Sequence, residues 1–251
     1  MMNFIKKPKI ILIIGSAPDA LISKEWDKQL FDTIVVINNA WQLREDWDYL
    51  VHPEDFPLEK RPRSISNHQR IITADDYVPV QNGFGGFVYA GGTMSFTSAY
   101  WALGTLKPDI IAFVGCDMVY SSDGKATHFY GFGQPDPLRD DVTLNSLEAK
   151  SSRFLQIALK ANCICFNLSN KQESKLTCPR IKINELQAMT YQLFEDKLSS
   201  LQSNLNLDSI NAVLNYERDL GYYIESGRYW EHLDKICPNQ LKRLDDYWLA
   251  V

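Results

Sequence analysis

The chemistry open to this chain concentrates in a few short stretches. His128 stands in Thr-His-Phe-Tyr-Gly (127–131), inside a segment from Ser121 to Asp141 that lacks apolar periodicity and so reads as loop. An imidazole titrates near neutral pH, and aromatic neighbours that narrow its surroundings suit it to general-base work. A lone loop histidine can equally be structural or solvated. His52 is its rival, whereas His68 and His232 read as surface residues. Five stretches place glycine or polar chemistry at the end of an apolar run: Gly15-Ser16-Ala17-Pro18, Asn38-Asn39, His52-Pro53-Glu54-Asp55, Gly91-Gly92-Thr93 and Gly115-Cys116-Asp117. Turns are polar for steric and solvation reasons, so each stretch is either a site or simply a turn.

The first turn lacks both the GxGxxG of a dinucleotide fold and the GxxxxGK[ST] of a phosphate loop, which argues against NAD enzymes and P-loop kinases. Gly15 with small residues before Pro18 still lets backbone approach a ribose or phosphate, and a following helix start favours negative charge. The competing reading is a tight strand-to-helix turn with Pro at the first helical position. Asn38 and Asn39 carry amides suited to sugar hydroxyls or a base edge, unless one of them caps the following helix. Asp46-Trp47-Asp48 has the DxD form of metal-dependent glycosyltransferases but precedes a strand instead of following one. Asp136, Asp140 and Asp141 sit among prolines as turn residues, so no metal set is expected.

These residues need a scaffold, and apolar runs supply it. Lys9 to Gly15 (KIILIIG), Thr33 to Ile37, Tyr49 to Val51, Ile71 to Thr73, Asp109 to Gly115 and Cys163 to Leu168 read as strands, the longest of them buried on both faces. Leu21 to Leu30, Thr93 to Leu106 and Leu144 to Lys160 have helical spacing. Gln81 to Gly92, with five glycines, reads as the most flexible stretch, and KRPRSISNHQ (60–69) as a loop. Strands alternating with helices predict an α/β fold: one Rossmann-like, doubly wound, mostly parallel sheet over residues 1–180. Ligands of such sheets bind outside the carboxyl ends of the strands, where strand order reverses. Residues 181–251 are helix-prone, a helical C-terminal appendage or an oligomerisation element. The tail's Tyr222, Tyr223, Tyr229, Trp230, Tyr247 and Trp248 either pack on the sheet or form an acceptor or membrane-facing surface.

Composition narrows the classes further. The 251 residues are 45% hydrophobic, which fits a globular core and not a disordered chain. Lys+Arg 26 against Asp+Glu 31 leaves a net charge of −5, so nucleic acid is not the expected partner. Five cysteines, an odd number without zinc-ligand spacing, read as reduced and buried thiols. The apolar run Ile10 to Ile14 is shorter than the ~7–15 residues of a signal-peptide core, and nothing approaches the ~18 needed to span a bilayer. A soluble, cytoplasmic protein is expected, with peripheral inner-membrane contact and homo-oligomerisation left open by the tail.

Taken in order, the Gly-Ser-Ala-Pro turn, Val-Val-Ile-Asn-Asn, Gly-Gly-Thr leading into a small-residue helix that closes at Ala-Leu-Gly (102–104), Phe-Val-Gly-Cys-Asp and His-Phe-Tyr-Gly resemble the bacterial sialyltransferases of glycosyltransferase family 42 and their uncharacterised relatives. The resemblance covers roughly Lys9 to Asn170. It implies a glycosyltransferase-A-like variant of that sheet and a metal-independent inverting transferase that uses a CMP-activated sugar acid and no further cofactor, with a glycan or glycolipid acceptor for surface glycan synthesis. Nucleotide contacts would then fall to Gly15, Ser16, Ala17, Pro18, Asn38, Asn39, His52, Gly91, Gly92, Thr93, Gly115 and Asp117. Asp117 would hold the nucleotide or the neighbouring loop, Tyr120 and Tyr130 would meet the leaving phosphate, and His128 would be the base. Ser16 and Ala17 replace the family's amide in the first turn, and His52 replaces an asparagine. Two other expectations stand beside this one: a magnesium-dependent pyrophosphokinase or phosphotransferase on the same skeleton, and a non-catalytic phage or surface assembly protein.

Overall fold

Continuous apolar runs become strands here because both of their faces are covered. The computed structural model describes residues 6–120, 126–131 and 141–251. Strands β1 (Ile10–Ile14), β2 (Thr33–Ile37), β3 (Tyr49–Val51), β4 (Arg70–Ile72), β5 (Ile110–Val114) and β6 (Ile164–Asn167) form one sheet in the order β4-β3-β2-β1-β5-β6. Every pairing is parallel, with β1 between β2 and β5. Strand order reverses between β1 and β5, which puts the switch-point crevice at their carboxyl ends.

Alternation along the strands divides the core in two. Ile11, Ile13, Val35, Ile111 and Phe113 face helices α1 (Ala74–Asn82), α3 (Met94–Trp101) and α4 (Leu147–Lys160). Leu12, Ile14, Ile34, Val36 and Ala112 face the opposite layer, which includes Ala20, Leu43 and, from the tail, Leu186 of α5 (Ile183–Gln187) and Phe194 of α6 (Tyr191–Ser203). This is the Rossmann-like α/β sheet with C-terminal helices. A third cluster joins Val88 and Tyr89 of α2 (Phe87–Ala90) and Ala149 of α4 to α7 (Leu207–Leu220) and α8 (Pro238–Ala250).

Two expected elements differ. The helical spacing of Leu21 to Leu30 resolves into 3-10 segments at Pro18–Glu25 and Lys28–Leu30. The Ser23 hydroxyl donates to the Ala20 carbonyl, and Asp27 starts the second segment by accepting from the Gln29 N–H, local hydrogen bonds that compete with an α-helix. The glycine-rich stretch 81–92 is no open loop: Gln81, Val88, Tyr89, Ala90 and Gly91 are buried within it. Helix α1, which leads into that stretch, was hidden by Pro79 and its two aspartates. Its signal is the cap, where Asp76 accepts from the Thr73 N–H at 2.9 Å. Asp46 and Asp48 are structural, the first forked by Arg44, the second accepting from the Ile34 N–H at 2.7 Å and pairing with Lys28. Asp136 and Asp140 lie outside the described residues. Among the described residues no helix is long and apolar enough to cross a membrane.

Candidate functional site at the sheet's switch point

β1 and β5 bring their final glycines into contact. The Gly15 N–H donates to Val114 O at 2.8 Å and the Ala17 N–H to Gly115 O at 3.1 Å. A Cβ at Gly15 would stand 2.2 Å from Gly115 O, and one at Gly115 would stand 2.6 Å from the Ala20 Cβ. These glycines therefore serve the close approach of two chains, while their outer edges line a cleft of about 120 Å³. That volume holds a group the size of a phosphate or a ribose, against the ~300–1,000 Å³ of pockets that enclose whole small molecules.

Asn38 follows β2 with φ 51°, a left-handed conformation that asparagine tolerates better than most side chains. Its side chain lines the cleft, and its amide oxygen is buried without a hydrogen-bond partner among the described residues. Thr93 closes the opposite side as the cap of α3, its hydroxyl accepting from the Phe96 N–H at 3.3 Å.

A loop lays His128 across this cleft. The Phe129 N–H donates to Ser16 O at 2.9 Å, tying the loop to the first turn, and His128 and Gly131 exchange backbone hydrogen bonds at 3.0 Å. The imidazole lies between two tyrosines, 4.9 Å from the Tyr130 ring and 6.2 Å from the Tyr120 ring, centroid to centroid. Its Nδ1 is 2.8 Å from Thr127 Oγ1. Burial, and then the nearby Lys60 ammonium, lower its pKa below the usual 6.5, so the ring is neutral at pH 7.

Nine of the sequence-predicted residues thus meet in one cleft: Gly15, Ser16, Ala17, Asn38, Thr93, Gly115, Tyr120, His128 and Tyr130. Six stand elsewhere. Pro18 is the first residue of the 3-10 turn. Asn39 is buried outside the cleft, and neither amide caps the following turn, whose cap is Ile37. His52 is 1% exposed and packs on Phe56, with Nδ1 2.8 Å from Pro53 O; burial lowers its pKa. Asp117 is wholly buried, and its carboxylate accepts from Asn167 Nδ2 of β6 at 2.9 Å. Gly91 packs against Lys150 and Phe96, and Gly92 lies under the Tyr229 hydroxyl.

Sequence reasoning missed Met94, Ser95 and Met118 as lining residues, and Lys60 as the charge beside His128. Lys60 opens the basic 60–69 loop, which was its only signal. The Cys116 thiol also lines the cleft, but burial pushes it up to about 12, so it is not a nucleophile at neutral pH.

Fold and cleft together define a Rossmann-like α/β protein with a polar crevice at its switch point. Comparison with protein-family models, with curated proteins and with solved structures finds no match.

Proposed function

We propose that this chain is a glycosyltransferase that moves a sugar acid from a CMP-activated donor to an acceptor hydroxyl, with inversion and without metal. One observation carries the reading: a neutral imidazole, His128, is held over the glycine-lined crevice where a parallel sheet takes its ligand. The tautomer this reading requires has Nδ1–H donating across the 2.8 Å contact to Thr127 Oγ1, which leaves the Nε2 lone pair to accept a proton. His128 then takes the proton of the acceptor hydroxyl as its oxygen bonds to the anomeric carbon. The bond from that carbon to the phosphate oxygen breaks, and CMP leaves with the electron pair. The Tyr120 and Tyr130 hydroxyls, the Ser16 N–H of the first turn and the Lys60 ammonium meet the charge on the leaving phosphate. The Asn38 amide, with an oxygen still to satisfy, suits a ribose or sugar hydroxyl.

Thermal shift with CMP, CDP, UDP, GDP, ATP and NAD tests the donor class, and stabilisation by CMP alone is the expected outcome. His128→Ala should abolish transfer and keep the CMP shift. In the wild type, the acid limb of kcat/KM should fall below pH 6.5, because only the neutral imidazole is the base. Wild-type turnover in His128→Ala refutes the mechanism. A second reading, the magnesium-dependent phosphotransferase, draws support from two carboxylates beside the first turn. Burial raises the Asp19 pKa, and Asp117's charge raises it further. ATP binding that EDTA destroys would favour that reading, and stabilisation by no nucleotide would favour the assembly protein.

A further inference from the structure

A second, larger cavity of about 420 Å³ adjoins the first, and Met94 lines both. Its walls come from distant parts of the chain: Glu54 and Asp55 after β3, Tyr77 of α1, Phe87 of α2, and the tail segment 226–230. That segment is clamped in place. The Tyr229 hydroxyl donates to Asp141 Oδ2 at 2.5 Å, and Arg228 reaches Glu54 at 3.5 Å. Tyr229 is buried, yet its neighbour Trp230 is 56% exposed at the cavity wall. Thr97 also lines the cavity at 1% exposure, and its hydroxyl has no hydrogen-bond partner among the described residues, a costly arrangement unless something enters to meet it.

This lining selects a chemistry. The aromatic surfaces of Tyr77, Phe87 and Trp230 take an apolar face. The carboxylates of Glu54 and Asp55 stand opposite Tyr77: burial first, and then their two charges, push its hydroxyl up to about 12. Arg228 on the same wall is paired with Glu54, so the wall carries two carboxylates against one cation; carboxylate oxygens accept hydrogen bonds and a net negative wall disfavours an anion, so the occupant that fits brings donors and carries no negative charge. Several donors on a body with one apolar face describe a neutral sugar ring, not an anionic nucleotide donor. We propose that this cavity is a binding site for a neutral glycoside. Its role as the acceptor subsite of the adjoining cleft rests on the transferase reading; the binding of a neutral sugar does not.

The test uses the full chain without nucleotide. Saturation-transfer NMR and titration are run with p-nitrophenyl β-glucoside, β-galactoside and β-N-acetylglucosaminide, with p-nitrophenyl β-glucuronide as the anionic probe and benzylamine as the cationic one. At least one neutral glycoside should bind, with saturation of its ring protons, and the glucuronide should bind at least tenfold more weakly. Glu54→Gln with Asp55→Asn should weaken the glycoside at least tenfold. Trp230→Ala should do the same, Trp230→Phe should retain binding, and the CMP thermal shift should stay unchanged throughout. Failure of every neutral glycoside to bind, affinity unchanged in both weakening variants, or tighter binding of benzylamine overturns the proposal. Glycoside binding without any CMP shift supports the sugar site and refutes the transferase instead.

Discussion

Glu217 on α7 offers the sharpest test of how the tail is held to the sheet domain. Its carboxylate accepts from Arg153 Nε at 2.7 Å, Arg153 Nη2 at 2.8 Å and Trp248 Nε1 at 2.8 Å, and all three side chains are buried. Arg153 in turn donates to the Tyr100 hydroxyl at 2.6 Å and to Phe84 O at 2.5 Å. Burial alone would lower the arginine's pKa, but Glu217 and Tyr100 outweigh it and hold the guanidinium charged. Glu217→Ala therefore leaves a buried cation without its partner, a loss of about 3–5 kcal/mol. At ~2–4 °C per kcal/mol for a chain of this size, the Tm should fall by roughly 6–20 °C. Arg153→Met with Glu217→Leu removes both charges and should recover part of that loss. Full recovery is not expected, because Trp248 Nε1, the Tyr100 hydroxyl and Phe84 O each lose a partner, at ~1–3 kcal/mol per buried group. Calorimetry and urea titration of the three proteins make the measurement. A Glu217→Ala protein within ~1 kcal/mol of wild type, or a double variant less stable than the single one, refutes this account of the buried pair.

Two further predictions concern single atoms near the cleft. Gly92→Ala places a Cβ 2.4 Å from the Tyr229 hydroxyl, so it should cost ~1–3 kcal/mol by urea titration as an overpacked contact. In a Tyr229→Phe background, which lacks that hydroxyl, the same substitution should cost less; equal costs in both backgrounds would show that the clash is not the cause. Asp19→Asn should raise the Tm at pH 7. The folded pKa of Asp19 lies above its ordinary 3.8, so ionisation disfavours the folded state at higher pH, while below 3.8 both states hold the proton and the gain should vanish. A lower Tm at pH 7 would contradict the sign.

The scaffold was legible wherever burial leaves a local trace. β2 and β3 coincide with the expected Thr33–Ile37 and Tyr49–Val51, because a strand covered on both faces must be apolar throughout. Helix α1 was not legible, since its proline and aspartates are ordinary loop chemistry until the Thr73 cap is noticed. Polar stretches at strand ends pointed to the region where nine of these residues line one cleft but could not assign each residue. Gly92 reads like a ligand turn, yet its requirement comes from Tyr229, 137 positions later. Asp117 reads like a ligand carboxylate, yet its partner Asn167 is on β6. In each case the deciding atom is remote in sequence, and one-chain periodicity carries no information about it.

The same remoteness argues that the tail belongs to the second cavity as well as to the fold. Buried ion pairs, Arg153 with Glu217 and Lys150 with Asp245, fix α7 and α8 onto α4. A buried pair adds little net stability over apolar packing, but a misplaced partner leaves a bare charge, so the arrangement penalises alternative dockings of the tail more than it strengthens this one. What lies between those two helices is the 226–230 segment that supplies Tyr229 and Trp230 to the second cavity, against Gly92 and the loop after β3. Accurate placement of a cavity wall is what such pairs secure and what a purely apolar interface would leave looser. The cleft at the switch point is made by the sheet, the start of α3 and the His128 loop, without the tail; the cavity beside it takes one wall from the tail.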